Sequence, residues 1–324
     1  MRAKGDFVEA IVREVRDVTP TVRQFLLAPA GGAAPWSPGS HVDVVVQADG
    51  RAATRSYSLV GRADRETYRI GVKLASEGRG GSRYMWSLMP GARITVSAPR
   101  NLFELSYGAA EYLLVAGGIG ITPIISMALA LSGRDVPLRL VYAAREEAEL
   151  AFHDELVAAL GERVATRVDA RGERVDPAAC IASLPPGAEV YVCGPIGLLD
   201  ALRAYWTASG RPMTALRYET FGNTGHFAPE PFRVTLPRHG VEVIVPTDAT
   251  LLDTLLAAGV DVLYDCRRGE CGLCALDVVE VEGIIDHRDV FLTERERAEG
   301  HRICTCVSRA VGGGLVLDSA YRED

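Results

Sequence analysis

Three cysteines, Cys266, Cys271 and Cys274, stand close together in C-R-R-G-E-C-G-L-C, and a fourth, Cys306, follows in T-C-V-S-R. C-x4-C-x2-C with one distant Cys is the spacing that holds a plant-type [2Fe–2S] core. Two irons need four thiolates converging on one small volume. Three can come from a single tight loop, and the fourth must return from a later strand. Gly269 and Gly272 let that loop curl, because Gly tolerates backbone angles that other residues avoid. The chemistry such a loop supports is transfer of single electrons. Disulfides suit small, cysteine-dense secreted chains, whereas this chain has seven Cys in 324 residues. Zinc sites pair their ligands symmetrically, and this triplet is asymmetric. Cys304 competes with Cys306 as fourth ligand. Cys306 is preferred because it opens C-V-S-R-A, which leads into a strand; Cys304 and Cys180 then read as small hydrophobes or spare thiols.

A second set of residues suits a phosphorylated aromatic cofactor. In Arg55-Ser56-Tyr57-Ser58, Arg55 offers a forked guanidinium to a phosphate. Tyr57 can cover the face of a ring system, and Ser58 can hydrogen-bond a ring nitrogen. Downstream, Gly78-Arg79-Gly80-Gly81-Ser82 reads as a Gly-rich turn opening a short helix, with Ser82 at a capping position and free N–H groups for an anion. Together they describe a flavin pocket; separately, either is compatible with an ordinary strand or surface turn. Lys73, on the strand Tyr68–Leu74, is a further candidate cofactor-binding residue.

Two further turns suit a dinucleotide. Gly117-Gly118-Ile119-Gly120-Ile121-Thr122-Pro123 follows the apolar strand Tyr112–Ala116 directly. Thr122 is expected to cap the next helix and Pro123 to begin it, so that the loop's amides face a pyrophosphate. This is not the G-x-G-x-x-G string. Tyr191-Val192-Cys193-Gly194-Pro195 is another strand-to-helix turn, in which Cys193 either meets a nicotinamide ring or is simply a buried strand end. Ser58 and Cys193 are the candidate catalytic residues. Arg145, just past a strand ending at Tyr142, could reach an adenosine 2′-phosphate, but Glu146 and Glu147 oppose that, which favours NADH over NADPH. The six His show no H-E-x-x-H spacing, and no G-x-S-x-G elbow is present.

The elements that must position these residues fall into three segments. Phe7–Val15, Val22–Leu27, His41–Val46, Thr54–Leu59, Tyr68–Leu74 and Arg93–Ser97 read as short strands separated by Pro, Gly and Asp. They predict an antiparallel β-barrel over residues 1–107, with one short helix at Ser82–Leu88. Residues 108–222 alternate strand and helix: strands Glu111–Ala116, Leu138–Tyr142, Val164–Val168 and Glu189–Cys193, and helices Pro123–Leu131, Glu146–Leu160 and Ile196–Ala208. That alternation predicts a doubly wound α/β domain with its ligand at the strands' carboxyl ends. Residues 223–232 read as a linker. Residues 233–324 open with a hairpin (Arg233–Pro237, Val241–Pro246) and a helix (Leu251–Ala258) ahead of the cysteine loop, which predicts a β-grasp ferredoxin domain.

A length of 324 residues calls for two or three domains. The net charge of −7 argues against nucleic acid and fits a protein partner with a basic docking face. Reduced thiols and the polar start, Met1-Arg-Ala-Lys-Gly-Asp, place the chain in the cytoplasm. Tyr112–Gly133 carries no charge and is long enough to span a bilayer, but Gly117, Gly118, Gly120 and Pro123 interrupt it, so no membrane span is expected.

R-S-Y-S, G-R-G-G-S, G-G-I-G-I-T-P, Y-V-C-G-P, Y-E-T-F-G and the cysteine run ending in C-V-S-R occur in this order. The combination resembles the phthalate dioxygenase reductase family, which includes vanillate demethylase reductase components. The resemblance covers essentially the whole chain, with the ferredoxin module at the carboxyl end. It implies FMN in the barrel, NADH on the α/β domain and a [2Fe–2S] cluster on the last domain. By this resemblance Arg55, Ser56, Tyr57 and Ser58 bind flavin, and Gly80, Gly81 and Ser82 form its phosphate turn. Gly118, Gly120, Thr122 and Pro123 line the nicotinamide-side loop, and Cys193, Gly194 and Pro195 meet the nicotinamide. Phe221 lies near the flavin, and Cys266, Cys271, Cys274 and Cys306 ligate the cluster. The stretch between Cys274 and Cys306 is slightly longer than the family pattern. The implied acceptor is the Rieske centre of a separate aromatic-ring oxygenase, and the implied state is a monomer. A cytochrome P450 acceptor, or an electron-carrier or redox-sensing module that no longer turns over, are the alternatives.

Overall fold

The computed structural model describes residues 7–48, 51–75, 80–221 and 225–318. Contacts divide the chain into two compact units, with the boundary between Glu219 and Thr220. Gly78 and Arg79 of the Gly-rich string, Gly222, and residues 223–224 at the start of the expected linker lie outside the described residues.

The first unit begins with a sheet of β1 (Phe7–Thr19), β2 (Val22–Pro29), β3 (Ser40–Ala48), β4 (Arg51–Ser58) and β5 (Tyr68–Lys73), then α1 (Gly81–Ser87), β6 (Arg93–Ser97) and β7 (Arg100–Asn101). The strand order is β4-β3-β6-β1-β2-β5, with β7 pairing β3. Neighbours run antiparallel. A bridge between Leu59, just past β4, and Ile70 of β5 brings the two ends of this path together. Val-rich β3 suits a pleated, packed surface; its Val42, Val44 and Val46 are fully buried with Phe25, Leu27 and Ile70.

The same unit continues as β8 (Tyr112–Gly117), α2 (Ile121–Leu131), β9 (Leu138–Ala144), α3 (His153–Leu160), β10 (Val164–Val168), α4 (Pro177–Ala182), β11 (Glu189–Cys193), α5 (Ile196–Ala208) and β12 (Leu216–Glu219). All pairs in the sheet β10-β9-β8-β11-β12 are parallel. The order reverses between β8 and β11, which is where an open α/β sheet forms its ligand crevice. The uncharged stretch from Tyr112 folds as strand, turn and helix, and among the described residues no helix is long and apolar enough to cross a membrane.

Two local expectations are corrected. α2 starts at Ile121 after a 3-10 turn, Gly118–Gly120, so Thr122 is not its cap. The Thr122 hydroxyl instead donates to the Ile119 carbonyl at 2.9 Å. The expected helix Glu146–Leu160 is broken at Phe152, whose φ of 60° is left-handed. A bulky residue adopts that conformation only under compulsion. Here the ring is buried against the β-sheet half of the unit: a Cβ on Gly71 of β5 would stand 3.2 Å from it and 3.0 Å from Thr122 Cγ2. Beside this contact, Arg69 of β5 donates to both oxygens of Glu155 in α3, at 3.0 and 2.6 Å, and lies 5.0 Å from the centre of the Phe152 ring.

The second unit comprises β13 (Phe232–Leu236), β14 (Val241–Val245), α6 (Leu251–Ala257), β15 (Ala275–Val281), β16 (Ile284–Asp286), α7 (Glu294–Glu299), β17 (Arg302–Cys304), β18 (Arg309–Val311) and β19 (Gly314–Asp318). Its main sheet has the order β14-β13-β19-β15-β17, and β16 pairs β18 separately. β13 and β19, the two ends of the unit, run parallel side by side. The Thr250 hydroxyl caps α6 by accepting from Asp253 N at 3.0 Å. The apolar face of α6, Leu251, Leu252 and Leu255, packs into the core with Phe232, Val234 and Ile303.

The close approach at Gly71 yields a direct expectation. Gly71→Val overpacks the contact with Thr122 and Phe152, and should lower the thermal unfolding midpoint by the equivalent of about 1–3 kcal/mol. Gly133→Val is the control, because a Cβ there meets nothing within 4 Å. Equal melting shifts in the two variants would show that this packing is not the constraint.

Candidate functional site

Three groups of residues gather at separate places. The first lies at the end of β4. Residues of a strand alternate between its faces, so Arg55 and Tyr57 share one side while Ser56 and Ser58 share the other. Arg55 lies against the start of α1: a Cβ on Gly81 would come within 2.7 Å of its Nε. The two strings that the sequence presents separately thus meet in space. Gly80 turns with φ 68°. Ser82 is not the cap of α1, which is Gly80; its hydroxyl accepts from Ala75 N at 3.1 Å and ties the turn to the end of β5. Burial pushes the Tyr57 phenol up from its ordinary pKa, and the Arg55 cation beside it opposes the shift.

On the other face, Ser58 is 4% exposed and its hydroxyl has no hydrogen-bond partner. A buried hydroxyl without a partner is costly, and a ring nitrogen or carbonyl of a flavin would satisfy it. Ser56 is occupied, donating to Asp43 Oδ1 at 2.5 Å. Buried Asp43 also accepts from Arg100 at 3.1 Å, and its N–H donates to Ser97 Oγ. Asp43 and Arg100 were missed from the sequence; the signal was an acid in the middle of an apolar strand, H-V-D-V-V-V. Lys73, assigned above to the cofactor set, is 3.2 Å from Glu149 in an ion pair that links β5 to the α/β half of the unit.

The second group fills the crevice between β8 and β11. A Cβ on Gly120 would sit 2.1 Å from the Cys193 carbonyl oxygen, and one on Gly117 2.6 Å from Pro195 Cδ. The two turns therefore touch backbone to backbone, and that mutual contact requires their glycines. Gly118, with φ 54°, has open space where its Cβ would be. The crevice thus offers a bare backbone at the strands' carboxyl ends, where a pyrophosphate is held by amides. Cys193 is buried at 1% exposure, Thr122 is buried, and Pro123 lies inside the first turn of α2. Arg145 is exposed just past β9. Phe221 is half-buried and belongs to the second unit.

The third group is the thiol cluster. Backbone N–H groups of Arg268, Glu270 and Cys271 all point at Cys266 Sγ, each at 3.4 Å. The Cys306 thiol donates to Cys266, which, with those three amides and against the effect of burial, brings the Cys266 pKa down to about 5. Cys274 takes hydrogen bonds from both Cys304 and Cys306. Cys306 therefore reaches two thiols of the loop, whereas Cys304 reaches Cys274. Cys266, Cys274 and Cys306 are buried, and Cys271 is exposed. Among the described residues, no three His, Cys, Asp or Glu side chains close up around a single ion. A two-iron core asks for a wider cage of four thiolates, and amides aimed at sulfur stabilise the thiolate form such a core requires.

The cage depends on two glycines. A Cβ on Gly269 would lie 2.7 Å from Val307 Cγ2 and 2.8 Å from Asp289 Cα; one on Gly272 would lie 2.2 Å from the Phe291 ring. Both have positive φ, 76° and 73°. Gly269→Ala should abolish the visible iron–sulfur absorbance and reduce bound iron by roughly tenfold. Gly259→Ala, at φ 81° but with open space around its Cβ, should keep its iron and lose only about 1 kcal/mol of stability. Iron assays on the two variants separate close packing from backbone strain; full iron in Gly269→Ala would refute the cage geometry.

Comparison with known proteins matches the stretches that carry the second and third groups. Residues 114–204 match the oxidoreductase NAD-binding domain, and residues 234–311 match the 2Fe-2S iron-sulfur cluster binding domain. The chain is 37% identical over 321 residues to the carnitine monooxygenase reductase subunit of Escherichia coli (strain K12), covering 96% of this chain and 98% of that one. It superposes on phthalate dioxygenase reductase with a TM-score of 0.75 and 34% identity, covering 96% and 98% of the two chains. It also matches part of an intact type IV self-sufficient cytochrome P450 monooxygenase, with a TM-score of 0.67 and 36% identity, over 96% of this chain and 41% of that one. An antiparallel sheet, a nucleotide-binding α/β half and a [2Fe–2S] domain in one chain, matched along nearly its whole length, identify it: this protein belongs to the phthalate dioxygenase reductase family of NAD-dependent iron–sulfur oxidoreductases.

Proposed function

We propose that the chain is the reductase component of a two-component oxygenase, and that it passes electrons from NADH through FMN and the [2Fe–2S] cluster to a Rieske-type terminal oxygenase. The observation that carries this reading is the cage of Cys266, Cys271, Cys274 and Cys306, in a chain that also holds the Arg55–Gly81 contact and the paired glycine turns. Bound flavin supplies the one chemistry the side chains lack: it accepts two electrons together and releases them singly.

The protein's part is to bind and orient. Arg55 with Gly80, Gly81 and Ser82 holds the cofactor's terminal phosphate, which favours FMN. Tyr57 covers the ring, and the Ser58 hydroxyl is the hydrogen-bond partner for a ring nitrogen. The turns at Gly118–Pro123 and Cys193–Pro195 hold the dinucleotide, with Cys193 toward the nicotinamide and Arg145 beyond β9. Glu146 and Glu147, next to Arg145 in sequence and exposed, disfavour a 2′-phosphate, hence NADH. Phe221 is assigned to the flavin edge. In the second unit, the last sheet with α6 is read as a β-grasp, and exposed Cys271 marks where its cluster comes nearest to solvent. The chain is read as a monomer; no cysteine among the described residues is in a disulfide, which suits the cytoplasm.

Two readings of the acceptor differ in what the chain must serve. The match within a cytochrome P450 monooxygenase keeps a haem acceptor as the second. The match to phthalate dioxygenase reductase extends over nearly all of both chains, which favours a separate oxygenase. Cys271→Ser should leave NADH-to-ferricyanide turnover within about twofold of wild type, because ferricyanide can draw electrons before the cluster. Cytochrome c reduction, which needs the cluster, should be lost. Equal loss of both activities would contradict the proposed order of transfer. Reduction of a purified P450 but of no Rieske oxygenase would exchange the two acceptors.

A further inference from the structure

Between β16 and α7 lies a carboxylate that the reaction, as described so far, does not use. Asp289 is 0% exposed. Its Oδ1 accepts from the Ser308 hydroxyl at 3.0 Å and lies 3.5 Å from His287 Nδ1, and its Oδ2 accepts from Leu292 N at 2.9 Å. The Arg297 guanidinium donates to its carbonyl oxygen. Every one of these partners is a donor or a potential cation. Burial, the largest influence on Asp289, works to raise its pKa, yet the His287 contact, the Leu292 amide and the Arg297 charge hold it below the usual carboxylate value. An ionised carboxylate without solvent is retained only where such partners surround it.

Its position explains the expense. The next two residues, Val290 and Phe291, donate their N–H groups to the Gly269 carbonyl at 2.9 and 3.2 Å. Gly269 lies inside the loop that carries Cys266, Cys271 and Cys274. On the other side, Ser308 follows Cys306 by two positions, accepts from Arg288 N at 3.1 Å, and donates its own N–H to the Cys304 carbonyl at 3.0 Å. One short segment thus grips both halves of the thiol cage: by backbone on the loop side, and by the Asp289 carboxylate on the Cys306 side. Asp289 also lies against the loop itself: a Cβ on Gly269 would stand 2.8 Å from its Cα and 3.0 Å from its Cβ.

We propose that Asp289 is a positioning residue for the iron–sulfur centre: its carboxylate ties the three-cysteine loop to the turn that carries Cys306, and its buried negative charge disfavours adding an electron beside it. The proposal rests on the four-thiolate reading above. Iron–sulfur potentials respond to local charge and to hydrogen bonding around sulfur, so the two roles have separate consequences. Asp289→Asn keeps the shape: the amide can accept from Leu292 and donate to Ser308, while the charge is gone. Ser308→Ala keeps the charge and cuts the tie.

The experiment measures three things on purified holoprotein: bound iron, the rate at which a chelator removes it, and the cluster's midpoint potential from an EPR-monitored titration. Asp289→Asn should retain its iron and shift the potential upward, so that the equilibrium constant for cluster reduction rises about threefold or more. Ser308→Ala should release iron several-fold faster with little change in potential. Asp277→Asn removes an exposed acid of the same unit (59% exposed) and is the control, with no shift expected. If Asp289→Asn loses its cluster outright, Ser308→Ala decides: faster iron release supports the tie, and wild-type release refutes it. An unchanged potential in an iron-replete Asp289→Asn protein overturns the electrostatic role alone. Wild-type protein without iron overturns the family reading together with this proposal.

Discussion

Four sulfurs from two distant stretches of chain must arrive within a few ångströms of one another, and much of the second unit is arranged around that demand. Three come from a loop that turns back on itself at Arg267, Gly269 and Gly272, all with positive φ. The fourth comes from the segment past β17. No hydrophobic driving force assembles such a loop, which exposes Cys271 and orders backbone at an entropic cost. Its order instead derives from amides directed at Cys266, from the Gly269 carbonyl held by Val290 and Phe291, and from ring contact at Gly272. Substituting a larger residue at either glycine displaces a neighbour that is itself fixed by hydrogen bonds or packing, so the loop has little freedom to relax.

The first unit answers a different demand, holding an antiparallel sheet against an α/β half. The sheet at its amino end and the α/β half are joined where Gly71 admits Phe152 and Thr122, and the bidentate Arg69–Glu155 pair spans the same seam. The cost of a left-handed Phe152 is local, on the order of 1–2 kcal/mol, and is offset by burying its ring. Because the pair is only partly buried, it specifies alignment more than it adds stability. The β8–β11 switch point then lies within the stretch that matches an NAD-binding domain, and the end of β4 is where the proposed flavin site falls.

Strand positions in the first unit were legible because β-branched runs bounded by Gly, Pro and Asp leave few other choices: Arg93–Ser97, Val164–Val168 and Glu189–Cys193 fall where the pattern puts them, as does the helix Ile196–Ala208. Helix starts were less legible. Thr122 and Ser82 are good capping residues, yet each hydroxyl bonds a preceding backbone group instead, the Ile119 carbonyl and the Ala75 N–H. The amphipathic pattern of 146–160 could not reveal the break at Phe152, since the reason for it lies on β5. Asp289 and Ser308 were not singled out at all. Their role comes from two segments that meet only after the sheet has formed.

The order of residues alone determined which chemistry is available, because thiol spacing, an R-x-Y-S strand end and glycine turns after apolar strands are local facts carried by residue type. It also sufficed to assign the class of protein. Tertiary structure alone decided how many loop thiols each candidate reaches, two for Cys306 and one for Cys304; which serine hydroxyl lacks a partner, Ser58 or Ser56; and which acid joins the Gly269 side of the loop to Ser308. Each of those is a competition between near neighbours in sequence. Such competitions are settled by contacts from far along the chain, whose distances no local pattern encodes.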